Sequence, residues 1–158
     1  MAIIYEVVRS ELQTYADRGI FQNLSSYDPG GKFSEFKFHW LTEKPFLLRL
    51  NSTKHELELK GVLPAVPFRS DMDKAFRNFL VERCRDEIPT HRKIDAKRFS
   101  IKAKNTNSEL SVTIGFLTDD THLAVKTSVN LLHEIFNNFL IEGPYQNYMV
   151  EVFNLPEE

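Results

Sequence analysis

The run Phe76-Arg77-Asn78-Phe79-Leu80 is nearly repeated as Phe136-Asn137-Asn138-Phe139-Leu140. Each run lies downstream of a stretch in which polar and apolar residues alternate, residues 56–59 in one case and residues 109–112 in the other. Alternation with a period of two is typical of a strand with one buried face. A strand followed by an amphipathic segment therefore occurs twice, which predicts one compact α+β domain built from two similar halves.

The first half begins with apolar residues at helical spacing, which predict a helix over residues 3–16. The turn at residues 27–31 leads into a strand that has Phe36, Phe38 and Trp40 on one face. Further strands are predicted at residues 46–51 and 55–60, and short connections make the three an antiparallel meander.

A helix is predicted after the meander and its extended connection. The connection, residues 61–67, contains two prolines, so we expect it to run outside the central strands. Ser70 is the expected N-cap, Asp71 and Asp73 suit the first turn, and Pro89 marks the end. The expected buried stripe of this helix consists of Met72, Ala75, Phe76, Phe79 and Leu80.

The second half predicts a hairpin over residues 98–116 and a long helix that starts at residues 119–121 and stops at Gly143-Pro144. A short C-terminal helix is expected to contain Tyr145, Tyr148, Met149 and Phe153. The predicted fold is α+β, an antiparallel sheet of two meander or hairpin units with helices packed on one face. The element order is α-βββ-α-ββ-α(α), and residues 1–158 form a single domain.

Composition excludes several classes of protein. The chain has 158 residues, 42% hydrophobic and 27% charged, which is ordinary for a soluble globular domain. Its net charge of −2 gives no general attraction to nucleic acid or to an anionic membrane. Cys84 is the only cysteine, the start of the chain has no signal-peptide pattern, and no apolar run approaches a membrane span. We therefore expect a cytoplasmic protein without membrane association.

Catalytic and metal-binding motifs are weak. His133-Glu134 begins a zincin-like string, but Asn137 stands where the second histidine is required. Cys84 and His91 fit no family spacing, and the pair Asp119-Asp120 is explained by its place at a helix start. No glycine-rich phosphate loop is present. The sequence predicts a protein that is not an enzyme and has no cofactor or metal.

A basic segment offers one alternative function. Residues 92–104 carry six cations against Asp95 alone, and Arg98, Lys102 and Lys104 are expected on the same side of one strand. Together with the aromatic strand at residues 36–40, this pattern suggests RNA or nucleic-acid binding by base stacking on a sheet. The other interpretation is a solvated strand face beside core aromatics, and it makes nucleic acid the less favoured partner.

The order of elements resembles the type III secretion chaperone-like fold, and most closely its YbjN-type proteins. The supporting segments are residues 36–40, residues 57–64 with 76–80, and residues 110–116 with 131–140. The resemblance implies a small, cytoplasmic, non-enzymatic protein, commonly a homodimer, that binds extended protein segments along apolar patches. It assigns no site residues to this chain.

The leading prediction is a protein-binding or chaperone-like module that takes a protein partner or an extended peptide. Thirteen Phe residues supply apolar area for a core, for a contact surface, or for both. The expected contact residues lie in the extended connection and in the C-terminal segment: Val62, Leu63, Val66, Phe68, Tyr145, Tyr148, Met149 and Phe153.

Overall fold

The computed structural model describes residues 2–40, 45–85, 87–88, 93–141 and 148. Three helices and six strands follow one another along these residues, which confirms the predicted α+β class. They are α1 Ala2–Asp17, β1 Gln22–Tyr27, β2 Phe33–His39, β3 Phe46–Asn51, β4 Glu56–Leu63, α2 Asp71–Glu82, β5 Ser100–Thr106, β6 Glu109–Gly115 and α3 Thr121–Glu134. A 3-10 turn, Thr118–Asp120, precedes α3, and a π-helical segment, Ile135–Ile141, continues it.

The six strands form one antiparallel sheet in the order β1-β2-β3-β4-β6-β5. The predicted meander corresponds to β2, β3 and β4, and the predicted hairpin to β5 and β6. Pairing of β4 with β6 joins the two halves in the middle of the sheet. β1 is an additional strand that the sequence prediction lacks, and it forms one edge while β5 forms the other.

One face of the sheet is covered by the helices and carries the core. Its rows of buried side chains include Phe36 and Leu48 on neighbouring strands, and Leu59 and Val112 further along the sheet. The two repeated runs meet on this face, where the Phe76 and Phe139 rings lie edge to face at 5.4 Å between centroids. Edge-to-face contact is a favoured geometry for aromatic pairs, so the repeat is a core element of both halves.

The opposite face carries polar and charged side chains, and the described residues place no helix on it. Arg49 and Glu58 pair across β3 and β4 at 3.0 Å. The lysines Lys37, Lys60, Lys102 and Lys104 are exposed on the same face. We call this surface the open face.

β4 is longer than expected and corrects the prediction for residues 61–67. It continues through Leu63, and Val62 and Leu63 are both buried. Gly61 has φ of +61° where the register with β6 shifts, which is the geometry of a bulge. The bulge lets two successive residues face the core before Pro64 ends the strand, so the prolines do not interrupt the ladder.

Local signals near α2 and the β5–β6 hairpin agree with the sequence. The Ser70 hydroxyl accepts a hydrogen bond from the Asp73 backbone N–H at 3.2 Å, which confirms the N-cap. Asn107 and Ser108 join β5 to β6 with φ of 51° and 65°. Positive φ at both positions is typical of a tight two-residue hairpin turn.

Three parts of the prediction lie outside the described residues: most of the C-terminal helix with Tyr145, Met149 and Phe153, the Pro89 stop signal, and the Gly143-Pro144 stop signal. Within the described residues, the helices are all too short or too polar to cross a lipid bilayer.

Candidate functional site

The outer edge of β5 is the most regular free strand edge of the described sheet. β5 pairs with β6 without interruption from Ser100 to Thr106, and none of the described residues forms a strand on its other side. Arg77 Nη1 donates to the Ala103 carbonyl at 3.3 Å, so this carbonyl faces α2 rather than β6. Because backbone groups of an antiparallel strand alternate in direction, Ile101 and Ala103 both present N–H and C=O groups outward.

An open groove lies between this edge and α2. Its volume is about 460 Å³ and its wall is mainly apolar. The lining residues are Arg77, Leu80, Val81 and Cys84 from α2, and Ala96, Phe99, Ser100, Ile101 and Ala103 from β5 and the segment before it. Val81 is 62% exposed, an unusual degree for an aliphatic side chain of this size. We call this feature the α2–β5 groove.

A buried carboxylate fixes the start of α2 against β5. Asp73 is 1% exposed and accepts hydrogen bonds from Asn105 Nδ2 at 3.1 Å, Arg77 Nε at 3.3 Å and the Arg69 backbone N–H at 3.1 Å. Burial alone raises the pKa of Asp73, but these hydrogen bonds and the Arg77 charge outweigh it and leave the pKa below its ordinary value. The charged carboxylate therefore holds one end of the groove in place.

A second buried charge fixes the end of α2. Arg83 Nη1 lies 2.9 Å from Glu134 Oε1, and both side chains are about nine-tenths buried. The guanidinium also lies over the Phe79 ring at 4.8 Å from its centroid. Since both ends of α2 are fixed by charged hydrogen bonds, the groove is a preformed feature of the fold.

Cys84 lines the groove but does not have the environment of a nucleophile. Burial raises the pKa of its thiol, an effect that the charge of Lys93 opposes only in part. The sulfur donates weakly to the Leu80 carbonyl at 3.8 Å. A thiol with a raised pKa is protonated at neutral pH and is a poor nucleophile.

The predicted basic patch is divided by the structure. Lys102 and Lys104 lie on β5 and are exposed on the open face, as expected. Arg98 lies in the turn before β5, and its guanidinium contacts Asp120 at 2.9 Å and Asp95 at 3.6 Å. The expectation that all three share one strand face is wrong for Arg98, because β5 starts at Ser100.

Five of the eight predicted contact residues are among the described residues, and they divide between the core and the surface. Val62, Leu63 and Val66 are 3%, 0% and 1% exposed, so these three side chains cannot form a contact surface. Phe68 is 60% exposed, with the Arg69 guanidinium over its ring. The Tyr148 hydroxyl donates to the Pro64 carbonyl, and burial raises its pKa, so the C-terminal segment contacts the extended connection at this point.

Two of the weak catalytic candidates have structural contacts of their own. His133 stacks on Trp40 at 6.0 Å between ring centroids, and Asp120 pairs with Arg98. His91 lies outside the described residues. Among the residues that are described, no three His, Cys, Asp or Glu side chains converge as metal ligands would.

Comparison with protein-family models, with curated proteins and with solved structures finds no match for this chain. The case for a function therefore depends on the geometry of the groove and of the strand edge beside it.

Proposed function

We propose that this chain is a non-enzymatic peptide-binding module, which takes an extended segment of a partner protein on the outer edge of β5. The observation that carries the proposal is the position of the α2–β5 groove along a regular, unpaired strand edge. An added strand hydrogen-bonds to the backbone of the edge, and its alternate side chains enter the groove.

The length of the free edge defines the size of the ligand. On the N-terminal side of Ile101, a turn occupies the edge. In this turn the Phe99 N–H donates to the Asp95 carbonyl at 2.9 Å. On the C-terminal side of Ala103, the side-chain Nδ2 of Asn105 donates to the Val66 carbonyl at 2.8 Å. The interval between Phe99 and Asn105, residues 100–104, lies along about five residues of extended peptide, and within it the Ala103 carbonyl already accepts a hydrogen bond from Arg77.

The apolar wall accounts for which side chains the groove accepts. Ile101 and Ala103 provide the floor, and Leu80 and Val81 the opposite side. Side chains of a bound strand that point to the helix side would bury apolar surface, which contributes about 25 cal/mol per Å² removed from water. Backbone hydrogen bonds give the register, and the groove selects apolar residues at alternate positions.

The nucleic-acid alternative has less support. Of the three cations predicted to share a strand face, Arg98 is engaged by two carboxylates, and only Lys102 and Lys104 lie on β5. Of the three aromatic residues proposed for base stacking, Phe36 and Phe38 are 1% exposed, and the half-buried Trp40 has ring contacts with Phe21 and His133. Base stacking needs an exposed ring, which Phe36 and Phe38 cannot offer.

The test is the affinity of an eight-residue peptide in which Val alternates with Ser, measured by fluorescence polarisation. Ala103→Pro removes the outward N–H and should weaken binding at least about tenfold, whereas Ala103→Ser keeps it and should bind as the wild type does. Val81→Asp changes the exposed wall without touching the core, and it should weaken binding similarly. If wild type, Ala103→Pro and Val81→Asp bind the peptide with equal affinity, the proposal is overturned.

Cys84 supplies an independent readout of occupancy. Because it is the only cysteine and lines the groove, its alkylation by a small thiol reagent should slow when the Val/Ser peptide is bound. Unfolding in urea, followed by Trp40 fluorescence, checks that Ala103→Pro and Val81→Asp remain folded. Binding that leaves the rate of Cys84 alkylation unchanged would place the peptide elsewhere.

A further inference from the structure

We infer that the preferred ligand of the β5 edge is an acidic strand, a segment in which Asp or Glu alternates with apolar residues. The inference rests on the proposed peptide-binding function and specifies the class of partner. It follows from Lys102 and Lys104, which alternate along β5 with the groove-floor residues Ile101 and Ala103.

Side chains of a bound strand alternate between two environments. Those on the helix side contact the apolar groove floor formed by Ile101 and Ala103. Those on the other side lie opposite Lys102 and Lys104. Opposite positions in an antiparallel pair bring Cβ atoms to about 4.5–5.5 Å, so charges there interact directly. Acidic residues at these positions form cross-strand ion pairs, and basic ones are repelled.

Neighbouring groups on the sheet leave the lysine charges without a described partner. On β6 the residues opposite Lys102 and Lys104 are Thr113 and Ser111, which carry no charge. Neither lysine forms an ion pair with any part of the chain that the structure describes. Of the carboxylates on the open face, Glu58 of β4 is paired with Arg49, and Glu109 of β6 lies opposite Thr106, diagonal to Lys104 rather than directly across from it.

The same lysines disfavour a second copy of the chain as the occupant. If two β5 strands paired antiparallel around a two-fold axis at Lys102, Ala103 or Lys104, a lysine of one copy would lie directly opposite a lysine of the other. Like charges directly opposite destabilise a strand pair, and lysines on an edge strand are a known protection against self-association. A homodimer of this chain would need another surface.

The experiment compares three eight-residue peptides that share Val at alternate positions and carry Glu, Ser or Lys between them. The wild-type chain should bind the Glu peptide about fivefold more tightly than the Ser peptide, and the Lys peptide less tightly than either. The double variant Lys102→Glu/Lys104→Glu should invert this order. A matched control, Lys37→Glu/Lys60→Glu, makes the same charge change on the same face but away from β5, and should keep the wild-type order.

The possible failures are separable. If the three peptides bind equally and Ala103→Pro weakens all of them, the acidic preference is overturned and the peptide-binding function stands. If none binds, or if the Glu peptide binds Ala103→Pro as well as wild type, the proposed function itself fails. A wild-type dimer in sedimentation that Ala103→Pro dissociates would show that a second copy occupies the edge, which also overturns the inference.

Discussion

The two edges of the sheet differ in regularity and in the way they are attached to the helices. β1 pairs with β2 through an interrupted register, in which the ladder shifts between Gln22 and Ser25, and Asn23 has φ of 56°. β5 pairs with β6 without interruption and is tied to α2 by Asp73 and Arg77. β1 is preceded by Phe21, which stacks on Phe38 at 4.1 Å between centroids.

This difference teaches how one sheet can protect one edge and keep the other available. A bulge twists an edge strand and disrupts the row of unpaired backbone groups, so β1 is a poor template for another strand. β5 keeps its straight backbone and carries Lys102 and Lys104 instead. Charged side chains permit pairing with a partner of opposite charge, whereas a bulge discourages all partners.

The largest expected effect is loss of the attachment of β5 to α2. Asp73→Ala should lower the free energy of unfolding by about 3 kcal/mol, because it removes a buried charge that accepts three hydrogen bonds. Urea unfolding followed by Trp40 fluorescence measures the change. The matched control is Asp71→Ala, an exposed residue of the same helical turn, which should cost about 0.5 kcal/mol. Equal losses in the two variants would mean that Asp73 acts only through the helix dipole.

A smaller loss of stability is expected from a substitution at Asn23, where the register of β1 shifts. Asn23→Val places a β-branched residue at positive φ, which costs about 1–2 kcal/mol in the left-handed region. Asn23→Gly keeps this conformation accessible and should change the stability by less than about 0.5 kcal/mol. The same urea experiment separates the two variants. If Val and Gly are equally tolerated, the bulge does not depend on the conformation of residue 23.

The smallest expected effect distinguishes the edges by pH. The pKa of Asp73 is lower in the folded chain than its ordinary value, so its contribution to stability is present above that ordinary value and is lost as the pH falls through the folded pKa. Wild type should therefore lose more stability between about pH 6 and about pH 3 than Asp73→Asn does.

Amide hydrogen exchange tests which elements lose stability as the pH falls. Acid should lower the protection factors, which correct for the intrinsic exchange rate at each pH, at the start of α2 and along β5 before those of β1, since no described carboxylate attaches β1 to a helix in the same way. A uniform fall of the protection factors in β1 and β5 would contradict the difference between the edges.

Most of the fold could be predicted because the buried positions alternate in the sequence. Phe36 and Phe38, or Leu57 and Leu59, mark their strands by period alone, and Ser70 marks the start of α2. β1 was missed since the segment Gln22–Tyr27 has only Leu24 as an apolar residue before the exposed Tyr27. An edge strand with both faces in water has no alternation to detect.

The site was less predictable, because its two walls are far apart in the chain. Val81 and Cys84 meet Ile101 and Ala103 only after β6 has placed β5 beside α2. One signal was present: Val81 is a large aliphatic residue outside the buried stripe of its helix. The prolines of residues 61–67 predict a connection outside the central strands, but Val62 and Leu63 belong to β4 and complete the core.

The pairing of β4 with β6 has a consequence for the rate of folding. The β5–β6 hairpin closes through a two-residue turn, whereas Gly61 and Ser111, which are joined by a hydrogen bond of 2.8 Å, are separated by 50 positions. Closing a longer loop costs more chain entropy, and non-local pairings slow folding. The hairpin is expected to form early, and docking of β6 on β4 to limit the rate. Substitutions at this seam would then slow folding, while those at the β5 edge would mainly accelerate unfolding.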